Sequence, residues 1–235
     1  MRKKAFFLSI LSLIALLSLE VLQTRETCVG FTADPKKQRV QMFWKTPGGK
    51  RYGSIGNLKA HLEKSGQEPV YLSNAGMFAL DRSPQGLYIE NGKMLQPLDT
   101  STASGNFYLK PNGVFYLTKN ATAEICISQD FNAENVQFAT QSGPMLLIDG
   151  KVHPAFKQGS TNVNIRNGVG ILADGRILLA ISKQKINFYD FADYFKKAGC
   201  KNALYLDGFV SRAYVPQAGL AQLDGDFGVM ISVSE

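Results

Sequence analysis

Four turn signals, each set between apolar or aromatic runs, limit most strongly what this chain can fold into. Asn91-Gly92 parts Leu87–Glu90 from Lys93–Leu95, and Pro111-Asn112-Gly113 parts Phe107–Leu109 from Val114–Leu117. Asp149-Gly150 parts Met145–Ile148 from Lys151-Val152, and Asp174-Gly175 parts Val169–Leu172 from Arg176–Ile181. Asn-Gly and Asp-Gly accept the positive φ of a tight hairpin, so each pair of runs predicts two antiparallel strands. Single strands are expected over Arg39–Lys45 and Pro69–Ser73, with a last edge strand within Phe227–Val233. Helical spacing enters twice. Ile55, Leu58 and Leu62 predict a helix over 54–65. Phe188, Phe191, Ala192 and Phe195 predict another over 188–198, capped by Gly199, and this stripe reads as core-facing rather than cofactor-binding. With 235 residues, 45% of them hydrophobic, the chain is long enough for one sizeable core. The expected class is α+β: mostly antiparallel, hairpin-rich sheets packed with a few helices, in a single domain over 39–235.

The N-terminus reads as a targeting segment. Arg2, Lys3 and Lys4 precede an apolar run from Ala5 to Leu19, which is short for a membrane span and suited to a signal peptide. Glu20 interrupts the place of a small-residue cleavage site, so a signal anchor is the alternative. Either reading exports the domain, periplasmic or secreted, with membrane contact only through residues 5–19 if these stay attached. Residues 20–38 read as a polar linker.

Cys28, Cys126 and Cys200 allow one disulfide and one thiol left over, with nothing to choose the pair. None stands in a C-x-x-C spacing, and His61 and His153, far apart, read as structural. No cofactor is expected, and a bound divalent metal is left open. The net charge of +7 is scattered, with no Lys/Arg-rich block after residue 4. Nucleic acid is therefore not the expected partner, and the bias is toward phosphate-bearing anions.

Chemistry concentrates at strand ends. The run Ala203–Leu206 stops at Asp207-Gly208, which places an acid at the mouth of a buried strand, and Ser211 follows closely enough to point back. Asn74 ends the run Pro69–Ser73 in the same way, and Gly76 allows close backbone approach. Gln141-Ser142-Gly143-Pro144 is a polar kink before an apolar strand. Arg166, ahead of a buried hairpin, could grip phosphate through two N–H groups. Asp81 and Glu90 are candidates for a second carboxylate. Taken singly each has a plainer reading: a turn for Asp-Gly, an Asx-turn for Asn74, a solvated side chain for Arg166 or Glu90. No G-x-S-x-G elbow and no phosphate loop is present, so serine hydrolysis and nucleotide triphosphate binding have no support.

Together, several stretches resemble the phosphodiester glycosidase domain family, the catalytic domain of the lysosomal uncovering enzyme, and in particular its exported bacterial branch. They are Asn74-Ala75-Gly76-Met77-Phe78, Gly86-Leu87 with Glu90-Asn91-Gly92, Gly105-Asn106-Phe107, Ser142-Gly143-Pro144, Arg166-Asn167-Gly168-Val169-Gly170, and Ala203 to Gly208 with Ser211. The resemblance spans roughly residues 40–233. It implies hydrolysis between a sugar's anomeric carbon and a phosphodiester, on a phosphate-linked carbohydrate of an envelope or extracellular glycan. Carried over, Asp207, Arg166 and Asn74 would be catalytic, and Ser211, Gly76, Gly143, Asn167, Gly208 and Glu90 would contact substrate. One departure stands inside the motif: many relatives carry Asp-Gly-Gly-x-Ser, and Phe209 here replaces the second glycine. A non-catalytic binder of envelope glycans is the alternative reading. A metal-assisted phosphodiesterase would need a carboxylate or histidine cluster that the sequence does not display.

Overall fold

The computed structural model describes residues 27–207 and 210–235. The targeting segment, Gly208 and Phe209 lie outside the described residues. In chain order the strands are β1 (Cys28–Ala33), β2 (Arg39–Phe43), β3 (Pro69–Asn74), β4 (Tyr88–Glu90), β5 (Lys93–Gln96), β6 (Gly113–Thr118), β7 (Ala123–Ile127) and β8 (Val136–Ser142). They continue with β9 (Met145–Ile148), β10 (Lys151–Val152), β11 (Asn167–Leu172), β12 (Ile177–Ser182), β13 (Cys200–Asp207), β14 (Ala213–Val215), β15 (Leu220–Ala221) and β16 (Met230–Ser234). Helix α1 is Ile55–Lys64 and helix α2 is Phe188–Lys197.

The strands form three antiparallel sheets, ordered β1-β12-β11-β13-β9-β10, β15-β14-β3-β16-β2 and β5-β4-β8-β6-β7. All three line one interior, where Phe31, Met42, Tyr71, Phe115, Val169, Leu179, Leu204 and Ile231 meet. Their outer faces are covered separately. The Phe188, Phe191 and Phe195 stripe of α2 packs on the back of the first sheet with Leu178, Ala180, Ala203 and Tyr205. Helix α1 covers the second through Ile55, Leu58 and Leu62 against Leu72 and Met230. Burial of each aromatic of the α2 stripe contributes about 1.5–3 kcal/mol before entropy is counted. Gly170 makes that seat possible, because a Cβ there would stand 2.6 Å from Cys200 Sγ and 2.7 Å from Phe195 Cδ1. Side-chain caps start both helices: Ser54 accepts from Asn57 N and Asn187 from Asp190 N. Gly199, at φ +88°, ends α2.

Three of the four expected hairpins form, β4–β5, β9–β10 and β11–β12. The fourth does not. Asn106–Tyr108 is a short 3-10 turn, and β6 pairs instead with β7 and β8. The Asn112 amide bonds the Phe107 carbonyl, which folds that segment back as a loop rather than a strand. The segment read as linker contains β1, whose Val29, Phe31 and Ala33 alternate into the core along β12. The expected last edge strand is central: β16 lies between β3 and β2, buried on both faces. Burial on both faces masks the alternation an edge strand would show. No disulfide forms among the described residues. The three thiols are free, and burial pushes those of Cys28 and Cys200 up to about 12.

Candidate active site

The ends of β3, β11 and β13 meet where the first two sheets converge. Asn167 is the joint. Its Nδ2 donates to the Asn74 carbonyl at 2.7 Å and to Asn74 Oδ1 at 3.1 Å, and its Oδ1 accepts from Asp207 N at 2.8 Å. Asn74 Oδ1 also accepts from Arg212 N at 3.1 Å, so the oxygen end of that amide is fixed by two donors. Its Nδ2 is then left buried with no partner. Ser211 Oγ donates to the Asp207 carbonyl at 2.8 Å, and Ser142 Oγ donates to the Leu206 carbonyl. Asn74, Asn167, Asp207 and Ser211 are thus one hydrogen-bonded unit drawn from two sheets.

Arg166 stands beside this unit but on the other face of its strand, as period-two alternation requires. Its side chain is fully buried. Nε donates to the Ile186 carbonyl at 2.7 Å, and Nη2 donates to the Asn162 carbonyl at 2.9 Å and to Asn162 Oδ1 at 3.2 Å. The guanidinium carbon lies over the Phe188 ring, 3.6 Å from its centroid, with the Tyr205 ring centroid 5.4 Å away. Phe156 stacks on Phe188 at 4.9 Å and His153 on Phe156 at 4.8 Å. Among the described residues no carboxylate pairs with Arg166; Nη1 is buried with no hydrogen bond of normal geometry, while the Tyr205 hydroxyl acts on the guanidinium at longer range. Burial pulls the guanidinium pKa down, yet an arginine stays charged. A buried cation with an unmatched N–H is costly unless an anion completes it. Asp207 pairs with Asn167, the residue after Arg166, and the β11–β13 register shifts at this point, because Gly168 pairs with Tyr205 rather than Leu206.

The other expected residues fall as follows. Gly76, at φ +130°, lets the chain after Asn74 lie against β8, since a Cβ would stand 2.5 Å from Thr140 Oγ1. Gly143 follows Ser142, and Pro144 beside it accepts from Tyr205 N. Glu90 is not joined to the unit by any hydrogen bond. Its carboxylate accepts from Trp44 N and the Tyr88 hydroxyl, and burial raises its pKa. Asp81 is held by Ser83 in an exposed turn. Both ring nitrogens of His153 bond backbone, to the Lys110 carbonyl and Ala155 N. No group of three His, Cys, Asp or Glu side chains gathers as a metal cage among the described residues.

Residues 67–229 match the phosphodiester glycosidase family. The chain belongs to that family. It is 36% identical over 208 residues to the uncharacterized protein YigE of Escherichia coli (strain K12), covering 88% of this chain and 82% of that protein. Its fold matches the catalytic domain of zebrafish N-acetylglucosamine-1-phosphodiester α-N-acetylglucosaminidase, a structure auto-inhibited by its pro-peptide. That likeness has a TM-score of 0.56 at 16% identity, over 89% of this chain and 88% of that one. A hypothetical protein from Synechocystis has TM-score 0.53 at 13% identity, over 88% of this chain and 59% of that chain. The expected family membership is therefore correct. Sequence reasoning missed the surroundings of Arg166: Asn162, Phe188 and Tyr205. No short motif signalled them, and the register shift between Tyr205 and Asp207 breaks the simple alternation along β13.

Proposed function

We propose that the protein is an exported hydrolase that releases a sugar from a glycosyl phosphodiester of an envelope or extracellular glycan. The observation that carries this reading is the pair of buried, unpartnered donors, Asn74 Nδ2 and Arg166 Nη1, flanking the strand end that bears Asp207. Family membership supports the reaction class, and the basic-then-apolar run of residues 2–19 supports export.

Arg166 holds the phosphate oxygens, with the Phe188 ring beside its guanidinium and two backbone carbonyls fixing its pose. Asn74 Nδ2 donates to a sugar hydroxyl or a second phosphate oxygen. Ser211 acts at one remove, because its hydroxyl is held by the Asp207 carbonyl. Water attacks the anomeric carbon and gives its proton to Asp207, acting as base. The bond from that carbon to the phosphate oxygen breaks, and its electron pair leaves with the phosphate as a monoester. The departing phosphate is a weak base, so anion stabilisation counts for more than strong acid assistance.

The test is incubation of the purified protein with a sugar-1-phosphodiester and assay of free sugar. Turnover is expected, and Asp207→Asn, folded as wild type by circular dichroism, should lose at least about 10²-fold in rate. Full turnover by that variant would remove Asp207 from the mechanism. A second reading, a glycan binder without turnover, is favoured by Phe209 in place of the motif's second glycine. Binding of the ester with no sugar released would select it.

A further inference from the structure

The connection between β10 and β11 is largely solvent-exposed, with residues 154, 155, 157–159 and 161–163 on the surface. Phe156 departs from that pattern: it is half-buried and packs against the cluster under α2. Its ring lies parallel to that of Phe188, centroids 4.9 Å apart and planes 9° from each other. The Arg166 guanidinium carbon stands 3.6 Å from the Phe188 centroid. At those distances the two would overlap on one face of Phe188, so they take opposite faces. Phe156 also stacks on His153, centroids 4.8 Å apart, and His153 is pinned at both ring nitrogens, by the Lys110 carbonyl and by Ala155 N. A column of rings, anchored at His153, therefore ends at the guanidinium. Two further contacts tie the same connection to Arg166. Asn162 accepts from Nη2 through its carbonyl at 2.9 Å and through Oδ1 at 3.2 Å. Asn164 N donates to the Ile186 carbonyl that also accepts from Nε.

We propose that Phe156 is a positioning residue for the reaction, setting Arg166 by backing Phe188 on the face opposite the guanidinium. This rests on the reading that Arg166 holds the phosphate of a glycosyl phosphodiester. The carbonyls of Asn162 and Ile186 hold Nη2 and Nε, and the Phe188 ring sets how close the guanidinium carbon comes to α2. Phe188 is the first residue of α2, so the Asn187 cap fixes its backbone, while its ring depends on the neighbours that hold it. Tyr205 meets that ring edge-on, centroids 4.8 Å apart, and Phe156 supplies the flat support. An aliphatic side chain at 156 offers no flat surface, which leaves the Phe188 ring free to tilt and the guanidinium to follow. The phosphate gains negative charge as its bond to the anomeric carbon breaks, so a displaced guanidinium costs more in the transition state than in the ground state.

The experiment compares wild type, Phe156→Leu and Phe156→Tyr on a glycosyl methyl phosphodiester, and follows the Arg166 Nε–H resonance of each protein without substrate. Phe156→Leu keeps an apolar side chain and loses the stack. Its kcat should fall about three- to tenfold, the range expected for one aromatic pair, with KM little changed. Its Arg166 Nε–H resonance should move, while the melting temperature reports any general loss of packing separately. Phe156→Tyr keeps the ring and should restore both the rate and the resonance. In wild type a nuclear Overhauser contact between the Phe156 and Phe188 rings is expected, a readout that needs no variant to fold. Wild-type kcat or an unmoved resonance in Phe156→Leu, equal impairment in Phe156→Tyr, or absence of the Overhauser contact would overturn the inference. A moved resonance in Phe156→Leu with no sugar released by wild type would keep Phe156 as the residue that positions Arg166 and sink the proposed reaction instead.

Discussion

Two arginines flank the end of β13, and their surroundings are opposites. Arg212, on the rim, is partly exposed and bonds Asp224 through Nε at 2.9 and 3.0 Å. Arg166, beneath α2, is fully buried, meets two backbone carbonyls and an aromatic face, and has no acid among the described residues. A side chain placed only to stabilise a fold has its charge matched within the fold, as Arg212 does. A buried guanidinium left with an open N–H destabilises the empty protein and gains only when an anion arrives. The same contrast separates two carboxylates. Glu90 is enclosed by Trp44 and Tyr88, whereas Asp207 stands at a strand end held by its own backbone.

The comparison breaks most visibly at Arg166 itself. Arg166→Met keeps volume and removes the unmatched charge, so affinity for a glycosyl phosphodiester should fall about 10–100-fold, as for a lost charge-assisted bond. Its melting temperature should hold or rise, because an apolar isostere is easier to bury. Arg212→Gln should do neither, changing stability by no more than about 1 kcal/mol in urea unfolding. Between these in effect lies Asn167→Ala. It strands Asp207 N and takes one of two donors from each Asn74 acceptor, and should destabilise by about 1–3 kcal/mol. Turnover should fall with it, since Asp207 and Asn74 lose the link that aligns them.

The smallest effect belongs to Glu90. Burial lifts its carboxyl above the ordinary 4.5, so the folded protein keeps that proton to higher pH than the unfolded chain. Stability from this group is therefore present at low pH and declines as pH rises through the interval above 4.5. Glu90→Gln should flatten that part of a melting-temperature profile. An unchanged profile would mean another group governs it.

Much of this was legible in the chain, and the limits have physical causes. Asn-Gly and Asp-Gly name hairpins because the turn chemistry is local. Pro111-Asn112-Gly113 misled because Asn112 bonds the Phe107 carbonyl and makes a loop of the segment instead. β1 and β16 were misplaced for a different reason: strand order depends on partners far along the chain. Asn74, Arg166 and Asp207 were visible as polar residues ending apolar runs. That Asn167 is a joint, and that Arg166 turns to Phe188 and Tyr205, depends on which sheet faces meet, which no short motif encodes.

The central claim is that the open N–H of Arg166 awaits a phosphodiester. The direct measurement is calorimetric titration of wild type, Arg166→Met and Arg212→Gln with a C-glycosyl phosphonate monoester, which keeps sugar and charge but has no cleavable anomeric C–O bond. Wild type and Arg212→Gln should bind alike, and Arg166→Met at least about tenfold more weakly. Equal affinity for all three proteins would contradict the account.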